Sequence, residues 1–550
     1  MQKLFSVLFA LMLLTACSDK EPDNPAPGPA LSVTEVSVDG QTGGFTFRAR
    51  TLRPEIRLKL SAPVQPSTIA GAVQFTSGGG GVLFDAGTDG PQSVWIRPKT
   101  PLSPFEVYAV SINTGLQSTT GGRLLSGVSL TVATGIDSSD KFTRITDTAL
   151  VELVQRQTFR YFWDFAHPVS GLARERDVSG HTVTTGGSGF GVMNIIVGVH
   201  RNFITRAQGL ARMQTIVSFL KNTADHFQGA FPHWLNGGTG KVVPFSAQDN
   251  GADLVETAFL VQGLLTARQF FTGADPAETA LRNDINTIWR RVNWAHFRRG
   301  DENVLYWHWS PDLGWAMNMK IQGWNEALIT YVLAAASPTH GIPKAVYDEG
   351  WARNGAMRNG NAYQGITLPL GPPYGGPMFF AHYSFLGLDP RGLSDAYADY
   401  WEQNRNHALI QHAYAQQNPR GFYGYSDSVW GLTASDDNEE GYRVHDPAND
   451  NGVITPTAAL ASFPYTPEAS MKALKFFYYK LGDRIWGDYG FTDAFSLHES
   501  WFATSYLAID QGPIPVMIEN YRSGLLWNLF MSAPEVKNGL RTLGFVSPHL

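Results

Sequence analysis

FSAQDNGADLVETAFLVQGLLTARQFF, residues 245–271, is the stretch whose reading decides the fold. From Asn250 onward, Leu254, Val255, Ala258, Phe259, Val261, Leu264, Leu265 and Ala267 supply apolar side chains over several turns, which predicts a long helix buried on most sides. Asp249, Asp253 and Glu256 fall at steps of four and three, so such a helix would stack three carboxylates on one face. A buried carboxylate without a partner is costly, so that face must meet water or strong donors. Asp249 alone reads equally well as a helix N-cap, and first-turn acids also complement the helix dipole. The three together favour a wet cavity.

Working outward, 550 residues exceed one ordinary core, so two domains or one large helical toroid with a small module are expected. The chain holds 42 basic and 48 acidic residues, net charge -6, which argues against nucleic acid or an anionic membrane surface as the main partner. MQKLFSVLFALMLLTACSDK, residues 1–20, has one Lys, an apolar run and small residues before Cys17, as a secretory signal does. Leu14-Thr15-Ala16-Cys17 resembles the bacterial lipobox, which implies cleavage after residues 1–16 and a lipid anchor on Cys17. Cys17 is the only cysteine, so it has no disulfide partner in this chain. The expected product is an exported lipoprotein, periplasmic or on the cell surface, touching the membrane only through that anchor. Residues 18–30 are a Pro-rich polar tether.

Residues 31–136 carry short alternating or β-branched runs, VTEVSVDG, GFTFRA, EIRLKLSAPV, VWIRPKT, FEVYAVSI and VSLTVATG, split by Gly, Pro, Ser and Thr. They predict a small β-sandwich resembling bacterial immunoglobulin-like modules. No His, Asp or Glu cluster occurs there, so it reads as a spacer, with ligand binding second. GGGG at 78–81 reads as a turn.

From Asp140 the pattern turns helical through residue 550. Helices are expected at 146–166, 191–203, 206–227, from 250, 277–297, 325–337, 393–417, 467–483, 498–510 and 515–532, joined by Gly/Pro/Asn-rich loops. The fold class is therefore mainly α, an (α/α)6 toroid behind the β-sandwich. Its loops are loaded with aromatic and polar groups: His233, Trp234, Trp309, Trp324, Asn325, Tyr374, His382, Tyr383 and Trp430. Sugar rings present flat C–H faces, so platforms of this kind beside acids suit a glycan groove. Glu326 opens an apolar helix and would project into the cleft, unless it is an ordinary first-turn acid. Asp436, Asp437, Glu439 and Glu440 read as a solvated loop or lid. Asp488, Asp493, Asp510 and Glu519 either hold sugar hydroxyls or cap helices. Several carboxylates in one wet, aromatic-lined cavity point to glycosidic bond hydrolysis, which needs one protonated acid and one base.

The stretches FRYFWDFAHPVSGL, DNGADLVETAF, GWNEAL, GLTASD, YGFTDAF and AIDQGPIPVMIENYRSGLLW carry a resemblance that covers most of residues 140–550. They resemble the glucoamylase-like α/α toroids of Bacteroidetes lipoproteins, most closely glycoside hydrolase family 144, the β-1,2-glucanases. The resemblance implies an inverting hydrolase of linear or cyclic β-1,2-glucan, cutting internally or releasing sophorose from a chain end. It implicates Asp249, Asp253, Glu256 and Glu326 in catalysis. Within that set, Glu326 is expected to donate the proton, Asp249 or Asp253 to position or activate water, and Glu256 to assist. Inversion asks for about 6.5–9.5 Å between acid and base, more than the about 5–6 Å between neighbours on one helix turn, so donor and base belong on separate elements.

Two other readings compete. A polysaccharide lyase on the same fold could use His233, His308, His382 or Tyr383, although a uronate would be repelled by the acids. A non-catalytic glycan-binding lipoprotein needs only the aromatics. No HExxH or cysteine pair occurs and the 436–440 run lacks EF-hand spacing, so neither metal nor cofactor is expected. The chain is expected to act as a monomer, with residues 353–376 as the candidate loop that blocks one end of the groove.

Overall fold

The computed structural model describes residues 28–550; the leader, Cys17 and most of the tether lie outside the described residues. The chain divides into two compact units after Gly135.

In the first unit, two five-stranded sheets are formed. One runs in the order Gln41–Thr42, Val33–Val38, Ile56–Leu60, Ser93–Pro98, Phe84–Gly90, and the other Thr46–Arg50, Val128–Thr134, Val107–Ile112, Val73–Ser77, Gly80–Gly81. Alternation sets the inner face: Ile56 and Leu58 are buried, lie opposite Ile96 and Val94, and join Phe47, Val110 and Val132 in one core. The six expected runs hold strands, and the GGGG stretch turns a hairpin between Val73–Ser77 and Gly80–Gly81. Two further strands were not expected: glycines interrupt the pattern of Phe84–Gly90, whereas Val73–Ser77 alternates over only five residues between glycine-bearing flanks. Leu31 bridges Leu124 at one end of the sandwich, and the chain leaves at Gly135, beyond the far end of Val128–Thr134.

The second unit is mainly helical, with two- and three-stranded ladders between helices. At its centre the helices Thr185–His200 and Leu254–Phe270 are buried almost all round. They touch backbone to backbone: a Cβ on Gly189 would fall 2.3 Å from the Phe259 carbonyl oxygen, and one on Gly263 2.3 Å from that of Gly189. Glycine is unfavourable in a helix interior by about 1 kcal/mol. Here close approach is what it provides. The outer helix Arg206–Asn222 is closed by a Thr205/Gln208 capping box, and Pro276–Arg291 is capped by Asp275. Among the described residues, no helix is long and apolar enough to cross a membrane.

Several expected boundaries are corrected. The key helix begins at Leu254, not Asn250, because Asp253 caps it from a short strand, so Asp249 lies on no helix. The Thr185–His200 helix starts well before 191, its glycine-rich first turns having passed for loop. Residues 498–510 are not one helix but the hairpin Phe495–Ser496/Trp501–Phe502 followed by the short helix Ala508–Gln511. The 515–532 run is broken at Gly524, whose φ of 67° ends Pro513–Ser523 before Leu525–Met531 begins. Only Tyr400–Gln417 of 393–417 is helical, and Pro534–Leu543 forms an unexpected last helix.

Candidate active site

Asp253 stands where the strand Ala252–Asp253 becomes the helix Leu254–Phe270, paired across the ladder with His308. Its Oδ1 accepts the N–H groups of Val255 at 3.0 Å and Glu256 at 2.9 Å. That leaves Oδ2 for His233 Nδ1 at 3.1 Å, with His308 Nε2 at 3.5 Å. Asp249, in a turn where its N–H bonds the Ser246 hydroxyl, places Oδ2 3.4 Å from the same His308 nitrogen. Glu256, in the first helical turn, accepts the Gly186 N–H at 2.7 Å.

Glu326 lies in the turn before Leu328–Ala336. The Asn325 side chain accepts the Ala327 N–H at 2.9 Å and the Ser384 hydroxyl donates to the Glu326 carbonyl, so the backbone on both sides of the carboxyl is fixed.

Burial drives the electrostatics. Glu326 is pushed up to about 7, by desolvation and then by the charges of Glu256 and Asp253. Asp249 is pushed up to about 6 by burial and by Asp253, against the pull of the two histidines. For Asp253, burial also opposes ionisation, but hydrogen bonds from His233 and His308 outweigh it and hold the carboxyl below the usual range. Burial would lower His233, yet Glu256, Asp253 and Asp249 reverse this and push it up to about 9. Glu256 is raised, mainly by burial. The result is one ionised carboxylate beside groups that keep or share protons near neutrality.

Part of this cluster borders a cavity of about 430 Å³, whose lining does not include Asp249 or Asp253. His233, Glu256 and Glu326 line it, and Trp234, Trp307, Phe245, Phe379 and Tyr383 give it aromatic walls. Arg176 and Tyr442 also contribute to the lining. A groove of about 620 Å³ in the β unit has Glu35 as its only titratable lining residue and offers no such chemistry.

A second group of acids lies behind Arg176 and Tyr442. Arg176 pairs with Asp436 at 3.2 Å, the Asp436 N–H donates to Asp493 at 2.6 Å, and the Tyr442 hydroxyl donates to Asp510 at 3.4 Å. Asp493 and Asp510 are hydrogen-bonded carboxyls; burial and neighbouring acids push Asp493 up to about 7 and raise Asp510 as well. The 436–440 run is thus no free loop. Ala434–Asp436 and Tyr442–Val444 form a hairpin, Asp437 is buried against Asn451 at 2.7 Å, and only the tip, Glu439 and Glu440, is exposed.

The fold therefore brings together Asp249, Asp253, Glu256, Glu326, His233, Trp234 and Tyr383, with Asp436 and Asp493 in support. Other expected binding residues are corrected. Trp430 is fully buried, its indole donating to the Ala469 carbonyl at 3.3 Å. Trp324 packs on Phe385 and Tyr400 in the core, and Asn325 is occupied in its turn. His382 is buried 3.0 Å from the Ser462 hydroxyl, and desolvation pushes it down to about 3, which leaves a lyase one base fewer. Trp309 faces His296, and Tyr374 packs on Tyr363. Glu519 is fully buried and held by Arg201 at 2.6 and 2.7 Å. Residues 353–376 are tied to the Tyr400–Gln417 helix, Leu370 donating to Gln403 at 2.8 Å, and line no part of the cavity. Sequence reading missed Trp307, Phe245, Arg176 and Tyr442. Trp307 was legible in LYWHWSPDLGW, whereas Arg176 was hidden in RERD, whose mixed charges look like a solvated turn.

Comparison with known proteins finds relatives of both units. Residues 318–534 match the Glycoamylase family model, and residues 29–134 that of the bacterial Ig-like domain. The chain is 47% identical over 422 residues to an exo β-1,2-glucooligosaccharide sophorohydrolase (non-reducing end) of Parabacteroides distasonis, covering 72% of this chain and 58% of the relative. The chain thus spans less than two thirds of that relative. A solved endo-β-1,2-glucanase of Chitinophaga pinensis, in complex with sophorotriose and glucose, is 55% identical with a TM-score of 0.72, over 74% of this chain and 100% of its own. A solved β-1,2-glucanase of Parabacteroides distasonis is 38% identical with a TM-score of 0.71, over 94% of this chain and 73% of its own. With more than half of the aligned residues shared along the whole of a solved glucanase, this chain belongs to the bacterial glucoamylase-like β-1,2-glucanase family.

Proposed function

We propose that the chain hydrolyses β-1,2-glucan with inversion, as a member of glycoside hydrolase family 144. Glu326 gives its proton to the glycosidic oxygen as the bond to the anomeric carbon breaks. Water attacks that carbon from the opposite face and passes its proton to Asp249, while Asp253, ionised and oriented by His233, positions the water and Glu256 assists. One observation carries the reading: an aromatic-walled cavity joins a carboxyl lifted to about 7 with a carboxylate cluster on a separate element. The relatives' named activities support the linkage, and they include both an endo enzyme and a sophorose-releasing exo enzyme.

The same reading includes an (α/α)6 toroid for the helical unit, an exported lipoprotein anchored at Cys17, a spacer role for the β unit and a monomeric chain. Product chromatography on long β-1,2-glucan tests the activity. A ladder of sizes means internal cutting and sophorose alone means action at chain ends. Absence of new reducing ends, or products with unsaturated absorbance, rejects hydrolysis.

A further inference from the structure

The run RERD, residues 174–177, places Glu175 and Arg176 side by side in the cavity lining, and the reaction described above uses neither. The charges that act on Glu326 are those of Glu256 and Asp253, and Glu175 is not among them. Backbone contacts fix both residues. The Glu175 N–H donates to the Thr182 carbonyl at 3.1 Å, the Glu175 carbonyl accepts the Ala508 N–H at 2.9 Å, and the Arg176 N–H donates to the Ser179 hydroxyl at 3.2 Å.

A guanidinium carries all its N–H donors in one plane. Arg176 Nε donates to both carboxylate oxygens of Glu175 at 3.2 Å, and Nη1 reaches the two oxygens of Asp436 at 3.2 and 3.3 Å. Asp436 is held in turn, its carboxylate by the Ser505 hydroxyl and its N–H by Asp493 at 2.6 Å. Nη2 has no hydrogen-bond partner among the described residues. The side chains of Arg176 and Glu175 keep 26% and 17% of their surface exposed, and an ion pair in contact with solvent adds little to stability, so folding alone does not account for this one. Among the residues lining the cavity, Arg176 and His233 are the only basic ones. The wall thus presents a fixed donor beside a carboxylate that has lone pairs to spare.

Such a pair matches two neighbouring hydroxyls of one sugar ring, one accepting from Nη2 and the other donating to Glu175. A β-1,2-linked glucosyl unit keeps its 3- and 4-hydroxyls free, and these are neighbours, whereas a β-1,3-linked unit inside a chain has no free neighbouring pair on its ring. We propose that Glu175 and Arg176 form a specificity-determining clamp for the vicinal diol of one glucosyl unit, with Asp436 as the positioning residue that holds the guanidinium in plane. The identity of the sugar rests on the β-1,2-glucan reading above; the roles of the acids that move protons do not enter.

Sophorotriose and its three 3-deoxy analogues, one per ring, are titrated by calorimetry into the full chain carrying Glu326→Gln to slow cleavage, and into the same chain with Glu175→Gln or Arg176→Lys added. Should Glu326→Gln still cleave at the wild-type rate, the same comparison is made on KM ratios. One analogue is expected to bind about 10- to 100-fold more weakly than sophorotriose, as for loss of hydrogen bonds to charged groups. Each added substitution should weaken sophorotriose by a similar factor and leave that analogue no weaker than before, so the two losses do not add. Melting curves check the fold, and Glu175→Gln, which leaves the Arg176–Asp436 pair in place, decides alone if Arg176→Lys fails to fold. A pair that merely braces the wall would weaken sophorotriose and all three analogues alike, and that result overturns the clamp. Equal affinity for sophorotriose and every analogue before the added substitutions overturns it too, and with wild-type sugar release intact it does so without touching the functional reading. Non-additive losses in a chain whose wild-type form releases no sugar uphold the clamp and overturn hydrolysis instead.

Discussion

Gly186 donates its backbone N–H to Glu256 at 2.7 Å, and a Cβ on that glycine would lie 2.6 Å from the same carboxylate oxygen and 3.0 Å from the Phe259 ring. Alanine is better than glycine in a helix by about 1 kcal/mol, but here it must displace the Glu256 carboxylate or the ring. Gly186→Ala is expected to lower kcat/KM at least about tenfold, the overpacking outweighing the gain in propensity with a net loss of about 1–2 kcal/mol in stability. Steady-state kinetics and denaturant unfolding check both.

Glu326→Gln keeps shape and removes the proton. A drop in kcat of about 10²–10⁴-fold, with an unchanged circular dichroism spectrum, is expected if Glu326 is the general acid. Wild-type rates in this variant would sink the donor assignment.

The pH profile follows from the same carboxyl. With its pKa pushed up to about 7, a Glu326 that acts protonated, as proposed, predicts that activity is lost as pH rises through that value. On the alkaline side kcat/KM should fall about tenfold per pH unit, and Glu326→Gln should lack that limb at its lower rate.

Glu519 tests the boundary between binding and structure. Burial opposes its ionisation, but Arg201 and Ser523 outweigh this and hold the carboxyl below its usual range. Breaking such a buried pair costs about 3–5 kcal/mol, so Glu519→Ala should unfold earlier while retaining kcat and KM per folded molecule. A lowered pKa gives stability that is present above the unfolded value and lost as pH falls, so the gap from wild type should close in acid. A raised KM at unchanged stability would return Glu519 to the binding site.

Two tryptophans should separate in the same way. Trp307→Ala, at the cavity wall, is expected to raise KM about 2- to 10-fold with little change in melting temperature, as for loss of one ring contact. Trp430→Ala removes a fully buried ring and should cost about 3–5 kcal/mol in stability.

Of the four acids named from sequence, Glu256 and Glu326 line the cavity while Asp249 and Asp253 gather around His308 and, for Asp253, the cavity-lining His233; their grouping was legible because spacing and helix starts are local signals. Asp253 and Glu256 are three residues apart around a cap, and Glu326 precedes an apolar run. Whether an aromatic faces the cavity or the core depends on tertiary packing. Trp430 and Trp324 look like platforms in a glycine-rich loop, yet Ala469, Phe385 and Tyr400 surround them. The Asp436–Arg176 pair joins residues 260 apart, beyond any periodicity. The same distance hides the cluster of His233 with His308, since no short motif links segments that meet only through the ladder at Asp253.

In the β unit, the first strand starts beside the Leu31–Leu124 bridge, while the last runs its seven residues away from that end to Gly135. Seven residues of strand span about 23 Å. The two ends of the module thus lie apart along its strands. A pull on its two termini would act along both strands, loading the hydrogen bonds each makes with its neighbours together in shear rather than peeling them one by one.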